Sequence, residues 1–175
     1  SFGALDKIKE GGTGLVVTVD TGTTAVKEVE YAKNIGLDIV VTDHHECAET
    51  LPDCPVVNPK RKDSGYPFSF LAGVGVVFEL VSFLSKENAE TLFNKYGYLA
   101  AVGTIADIMP LYGENRIIVR HGLSSFSKEE NIGFSALIAA ADCTFFDSSS
   151  VAFRIAPRLN AVGRMASAKT GVLVN

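Results

Sequence analysis

A chain of 175 residues, 47% hydrophobic and 21% charged, is long enough to bury a core and has the size of one domain. Its formal net charge of −4 excludes attachment to nucleic acid by bulk electrostatics, so any such contact must come from local patches. Three cysteines without a C-x-x-C pair argue against a zinc knuckle and a disulfide framework, and no apolar run reaches the roughly 18 to 20 residues of a membrane span. The start, Ser1-Phe2-Gly3, does not open a basic-then-apolar leader, so the expectation is a soluble, cytoplasmic protein with no membrane partner.

In chain order, residues 14–19 (GLVVTV) are β-branched and apolar, which predicts a strand. Asp20 and a Thr/Gly turn follow, and the spacing over 25–35 predicts a helix. A second apolar run, Asp38–Thr42 (DIVVT), comes after Gly36 and ends in Asp43-His44-His45-Glu46. This strand–helix–strand unit predicts parallel strands joined by a right-handed crossover. In open parallel sheets functional groups gather beyond the carboxyl ends of the strands, where Asp20 and Asp43 both fall.

After a short strand at 55–57, residues 58–70 carry Pro, Gly, Ser and the triplet Lys60-Arg61-Lys62, and read as loop. Helices then dominate. Residues 71–85 are apolar nearly all round, and 88–105 continue helically, with Asp107 where that helix should end before Pro110. Shorter helical candidates cover 113–126, 134–141 and 151–153, and 166–174 opens another. The expected fold is α/β: a parallel sheet of strand–helix–strand units over residues 1–70, then a mainly helical part over 71–175.

Asp43-His44-His45 is the sharpest local signal. An imidazole nitrogen beside carboxylates at a strand end suits Mn²⁺, Fe²⁺ or Zn²⁺, although the same residues also make surface turns and hydrogen-bonding histidines. Adjacent strand ends lie about 5 Å apart, so Asp20 and the residues after Thr42 can converge. Asp107 stands among apolar and small residues (GTIADIMPL), where a buried carboxylate is costly; a metal ion resolves that cost, and so does a helix end open to water. Candidate phosphate contacts are Lys60, Arg61 and Lys62, then Arg116 and Arg120, then Arg154, Arg158 and Arg164, each of which also reads as solvated surface charge. Tyr66, Phe68 and Phe70 beside the basic triplet are either nucleic-acid contacts or loop packing.

The stretches VTVDTG, VTDHHE, VVNPKRKDSGYPFSFLAGVGVVFEL, VGTIADIMPLYGENRIIVRHGL and IAPRLNAVGRM follow one another in the order seen in RecJ-type nucleases, and they cover nearly the whole chain. The chain thus resembles the catalytic core of the RecJ-type single-stranded-DNA-specific exonucleases of the DHH phosphoesterase superfamily. The DHH triplet alone is shared with family II pyrophosphatases and small oligonucleotide phosphodiesterases, whereas GTIADIMPL with GENR, and PRLNAVGR, point to the RecJ branch. The resemblance implies metal-dependent hydrolysis of single-stranded DNA from the 5′ end in DNA repair and recombination. It implies Mn²⁺ or Mg²⁺ as cofactor, two ions in the full-length enzyme, and single-stranded DNA and DNA-repair proteins as partners. By residue, it implies that Asp20 bridges the metals, that His44 and Asp107 are ligands of one of them, and that Asp43 is an acidic group behind the ligands. His45 faces the substrate phosphate in this reading, and Arg158 and Arg164 meet the nucleic-acid backbone, a task for which the guanidinium fork is suited.

The chain departs from the family pattern in three places. No D-x-D pair precedes Asp20; Thr21 stands where Asn or Cys is common; and the sequence stops at Asn175, before the family's C-terminal domain and oligonucleotide-binding fold. On this reading the 175 residues are a partial DHH phosphoesterase domain with at most one partial metal site, inactive in isolation. Other readings are a DHH phosphoesterase acting on short oligonucleotides or nucleotides, an inactive structural piece, and an aspartic protease through Val19-Asp20-Thr21-Gly22-Thr23. The protease reading needs two such aspartates sharing a proton on an all-β scaffold, against one copy in a strand–helix–strand unit.

Overall fold

The computed structural model describes residues 1–126 and 131–165, with side chains described through residue 161. Two compact units divide the chain, Ser1–Glu79 and Leu80–Asn175. The first contains α1 (Phe2–Glu10), β1 (Leu15–Val19), α2 (Val26–Asn34), β2 (Asp38–Thr42), β3 (Val56–Val57) and the start of α3 (Gly73–Ser85).

The three strands form one parallel sheet in the order β1-β2-β3, as the α/β expectation required. Because side chains alternate along a strand, Val16, Ile39, Val41 and Val56 share one face, and they pack with Val29, Ala32 and Leu37. Leu5 and Ile8 join this cluster from α1, a helix that the sequence reading did not anticipate. Its nine residues bring only Phe2, Leu5 and Ile8 as large apolar side chains, so the pattern is weak until α2 is there to meet it. Tyr31 Oη donates to Asp6 Oδ1 at 2.6 Å and ties the two helices together. α2 ends at Gly36, whose positive φ of 72° lets Leu37 N–H donate back to the Ala32 carbonyl.

The second unit is helical. α4 (Ala89–Leu92) runs through a π-helical stretch, Phe93–Gly97, into α5 (Tyr98–Ala106); α6 (Gly113–Ser124) and α7 (Ile132–Ala140) follow. α8 (Ser148–Ser150) continues through a second π-helical stretch, Val151–Ile155, into α9 (Ala156–Met165). The core joins Ala101, Val102, Ile105, Val119, Ile138, Val151 and Ile155 to the rings of Tyr98, Phe126, Phe134 and Phe146, whose centroids lie 4.8–5.8 Å apart. α5 and α6 approach closely at Gly122, where an added Cβ would stand 2.9 Å from the Ala101 methyl.

The helix expected over 151–153 reaches Met165. Pro157 argues against such an extension, but it follows the widened π-helical turn, which relaxes the demand for the N–H that proline lacks. The candidate at 166–174 lies outside the described residues. Among the described residues no helix is long and apolar enough to cross a membrane.

Candidate metal centre

The pairing of Val19 with Thr42 sets the ends of β1 and β2 side by side. Thr42 Oγ1 donates to the Thr18 carbonyl at 2.6 Å, and Thr18 Oγ1 donates to the Thr21 carbonyl at 2.6 Å, so the turn after β1 is tied to the end of β2. Asp20 then takes a left-handed backbone, φ 62°, which is uncommon outside glycine and turns its side chain out of strand register. Gly73, the first residue of α3, packs against that side chain: a Cβ there would lie 2.8 Å from Asp20 Cβ and closer still to Oδ1. The start of a helix favours a negative charge beside it.

Asp43 is buried, and its carboxylate is fully engaged. Oδ2 accepts from Thr23 N–H at 2.9 Å; Oδ1 accepts from the His44 and His45 amides at 2.8 and 3.2 Å and lies 2.7 Å from His45 Nδ1. Burial alone raises its pKa, but the Thr23 amide, the His45 ring and the His45 amide outweigh it and hold the carboxyl far below the usual carboxylate range. Asn58 extends the network, its Nδ2 donating to Thr23 Oγ1 at 3.0 Å and to the His45 carbonyl at 2.9 Å. Asp43 therefore ties the Thr23 backbone to both histidines.

His44 is buried, with Nδ1 3.1 Å from the Leu71 carbonyl. A carbonyl only accepts, so Nδ1 carries the proton and Nε2 presents its lone pair. That Nε2 lies 3.0 Å from Asp20 Oδ1. An imidazole lone pair and a carboxylate oxygen repel at this distance unless a cation, a second ring proton or a metal ion, is shared between them. Asp20, His44 and His45 each offer a ligand atom, all within 4.8 Å of one another, so the donor set fits a divalent first-row ion. The Nδ1–H of His45 points at Asp43, which leaves Nε2 on the exposed side of the ring.

Asp107 lies in the second unit as the C-cap of α5, its N–H donating to the Gly103 carbonyl at 2.9 Å, and it is exposed. Arg158 is exposed and donates to the Arg154 carbonyl at 2.8 Å; the Arg164 side chain lies outside the described residues. In the basic triplet, Lys60 pairs with Glu46 at 2.9 Å and Arg61 with Asp63 at 2.7 Å, as ordinary surface charges do. Thr23, Asn58, the Leu71 carbonyl and Gly73 were not anticipated. The stretches Asn58-Pro59 and Gly73-Val74-Gly75 are the visible traces of two of them.

The fold is thus a parallel α/β sheet that gathers carboxylate and imidazole groups at its strand ends. The profile of the DHH family, N-terminal domain, matches residues 5–104, and the chain belongs to that family. It is 45% identical, over 97% of its length, to the single-stranded-DNA-specific exonuclease RecJ of Bacillus subtilis (strain 168), of which it spans 21%. It is 34% identical to the RecJ of Escherichia coli (strain K12), over 96% of its own length and 32% of that protein's. Among solved structures, RecJ in complex with Mn²⁺ from Thermus thermophilus superposes with a TM-score of 0.80 at 32% identity, over 99% of this chain and 26% of that one. The resemblance read from the sequence is borne out. The D-T-G stretch has no protease meaning here, for it turns a parallel strand into a helix.

Proposed function

We propose that this chain is the metal-binding part of a cytoplasmic exonuclease that hydrolyses single-stranded DNA from the 5′ end, with Mn²⁺ or Mg²⁺ as cofactor. The observation that carries the reading is the 3.0 Å approach of His44 Nε2 to Asp20 Oδ1, with the opposite ring nitrogen of His44 committed to the Leu71 carbonyl. Relatives named for this activity and a Mn²⁺-bound neighbour support it.

Asp20 and His44 hold the ion. A bound divalent ion supplies Lewis acidity toward a phosphodiester oxygen and makes its water a stronger acid. Asp43 holds the Nδ1–H of His45, so Nε2 faces outward, where its protonated form donates to a phosphate oxygen. Asp107 is carried as a further metal donor, and Arg158 and Arg164 as phosphate contacts, on the family resemblance alone. DNA-repair proteins are the proposed partners on the same ground.

Calorimetric titration with Mn²⁺ and degradation of labelled single-stranded DNA by the full-length protein test this reading. His44→Ala is expected to weaken Mn²⁺ binding at least about tenfold and to lower turnover by about 10² or more. Unchanged metal affinity would remove the site. Faster turnover of short oligonucleotides or nucleotides than of long single strands would replace the exonuclease assignment with that of another DHH phosphoesterase. Among the described residues one cluster of three donors is present, whereas two-ion hydrolysis needs donors for both. The 175-residue chain alone is therefore expected to turn over DNA at least about tenfold more slowly than the full-length protein.

A further inference from the structure

Helices α2, α5 and α7 end in the same motif. The residue just past the cap takes a left-handed backbone, and the next amide donates back to the last turn: Leu37 to Ala32, Met109 to Thr104 and Cys143 to Ile138, at 2.9, 3.2 and 3.2 Å. The left-handed residue is Gly36 in α2 (φ 72°) and Asp142 in α7 (φ 50°), but Ile108 in α5 (φ 56°). Glycine adopts this conformation freely and aspartate tolerates it, whereas a β-branched side chain crowds its own backbone there. Core packing does not account for the choice, because Ile108 is 90% exposed.

Ile108 instead stands at the rim of a groove of about 580 Å³ within the second unit. Ile105, Phe153, Pro157 and Asn160 are among the residues that line it. Phe153 is 80% exposed, so two large apolar side chains project at the groove without serving the core. The volume lies in the range of small-ligand sites. Beside the groove, on the same continuous helix as Phe153, Arg154 and Arg158 are exposed and donate to the Asp142 and Arg154 carbonyls at 2.6 and 2.8 Å. No ion pair of either arginine with a carboxylate is present among the described residues, so their charge is available to a polyanion.

We propose that this groove takes a nucleobase of a single-stranded nucleic acid, stacked on Phe153 and wedged by Ile108, with Arg158 meeting the neighbouring phosphate. The inference rests on the nucleic-acid reading above. An apolar peptide would also find a surface here, but the two adjacent guanidinium groups favour an anionic strand. Asn160 supplies the amide that can hydrogen-bond a base edge.

The test uses the full-length protein, two oligonucleotides of equal length, one with bases throughout and one carrying abasic sites, and fluorescence anisotropy in Ca²⁺ to suppress turnover. The protein is expected to prefer the base-bearing strand by about tenfold, the size of one aromatic stack. Phe153→Ala should erase that preference while leaving abasic-strand affinity and its salt dependence unchanged, and Arg158→Ala should weaken both strands alike. Ile108→Gly should reduce the preference without lowering the Tm, since glycine suits the left-handed position. Retained discrimination in Phe153→Ala overturns the proposal, as does a Tm lowered by several degrees in Ile108→Gly. So does a loss of self-association or of co-purifying protein in Phe153→Ala with DNA binding intact, which would mark a polypeptide surface. Mn²⁺ titration of the same variants keeps the two readings distinguishable: base discrimination can fail with the metal site intact, and the metal site can fail with discrimination intact.

Discussion

The two units bury polar groups to different ends. In Ser1–Glu79 the buried polar residues are Thr23, Thr42, Asp43, His44 and Asn58, and all of them lie at or against the carboxyl ends of the strands. Among the described residues of the second unit the buried polar ones are Thr104 and Asn115, while the interior is carried by Phe134, Ile138, Val151 and Ile155 and by stacked rings. Thr104 donates to the Ala100 carbonyl and Asn115 Nδ2 to the Pro110 carbonyl. The first unit thus uses its interior to aim side chains at a point, and the second uses its interior to stay folded. A mutation at the centre of the first should cost metal binding together with stability, and one at the centre of the second chiefly stability.

The largest expected effect breaks that comparison if it fails. Phe134→Ala removes a fully buried ring that touches Tyr98, Phe126 and Phe146, and should destabilise the protein by about 3–5 kcal/mol in urea denaturation. Next comes Asp43→Ala, which strands the Thr23 amide and releases both histidines. A loss of about 3 kcal/mol is expected, with Mn²⁺ affinity down by about 10- to 100-fold. Lost stability with unchanged metal affinity would place Asp43 in the same class as Phe134. Gly73→Ala sharpens the contrast, because its methyl displaces Asp20: about 1–3 kcal/mol of stability, against about a tenfold loss of Mn²⁺ affinity by calorimetry. The smallest effect is Asp53→Asn, which breaks a pair with Lys33 on a fully exposed carboxylate; no measurable change in Tm or metal affinity is expected.

Residues 14–42 were legible because each element there has an unambiguous period: β-branched runs of five or six residues, a helix stripe between them, and polar punctuation at both strand ends. The helix at Phe2–Glu10 was not, since its stripe gains meaning only when α2 covers it. The length of α9 was hidden by Pro157, whose usual effect is offset by a π-helical turn that leaves no mark in composition. Within the site, Asp20, His44 and His45 could be named in advance because ligand chemistry restricts the residue types. Thr23 and the Leu71 carbonyl could not, because any residue has an amide and a carbonyl to offer.

The sequence by itself determined the parallel strand–helix–strand unit, the family, and the acidic and imidazole groups at two neighbouring strand ends, because hydrophobic period and residue chemistry are local properties. Tertiary structure decided the rest. It tied Asp43 to the Thr23 backbone and both histidines, opened room for Asp20 with Gly73, and selected the His44 tautomer through a carbonyl 27 residues away. It also set Asp107 at a solvated helix end and put Ile108 and Phe153 on one groove. Those outcomes depend on which backbone atoms and side chains meet across long stretches of chain, and no local pattern encodes such distances.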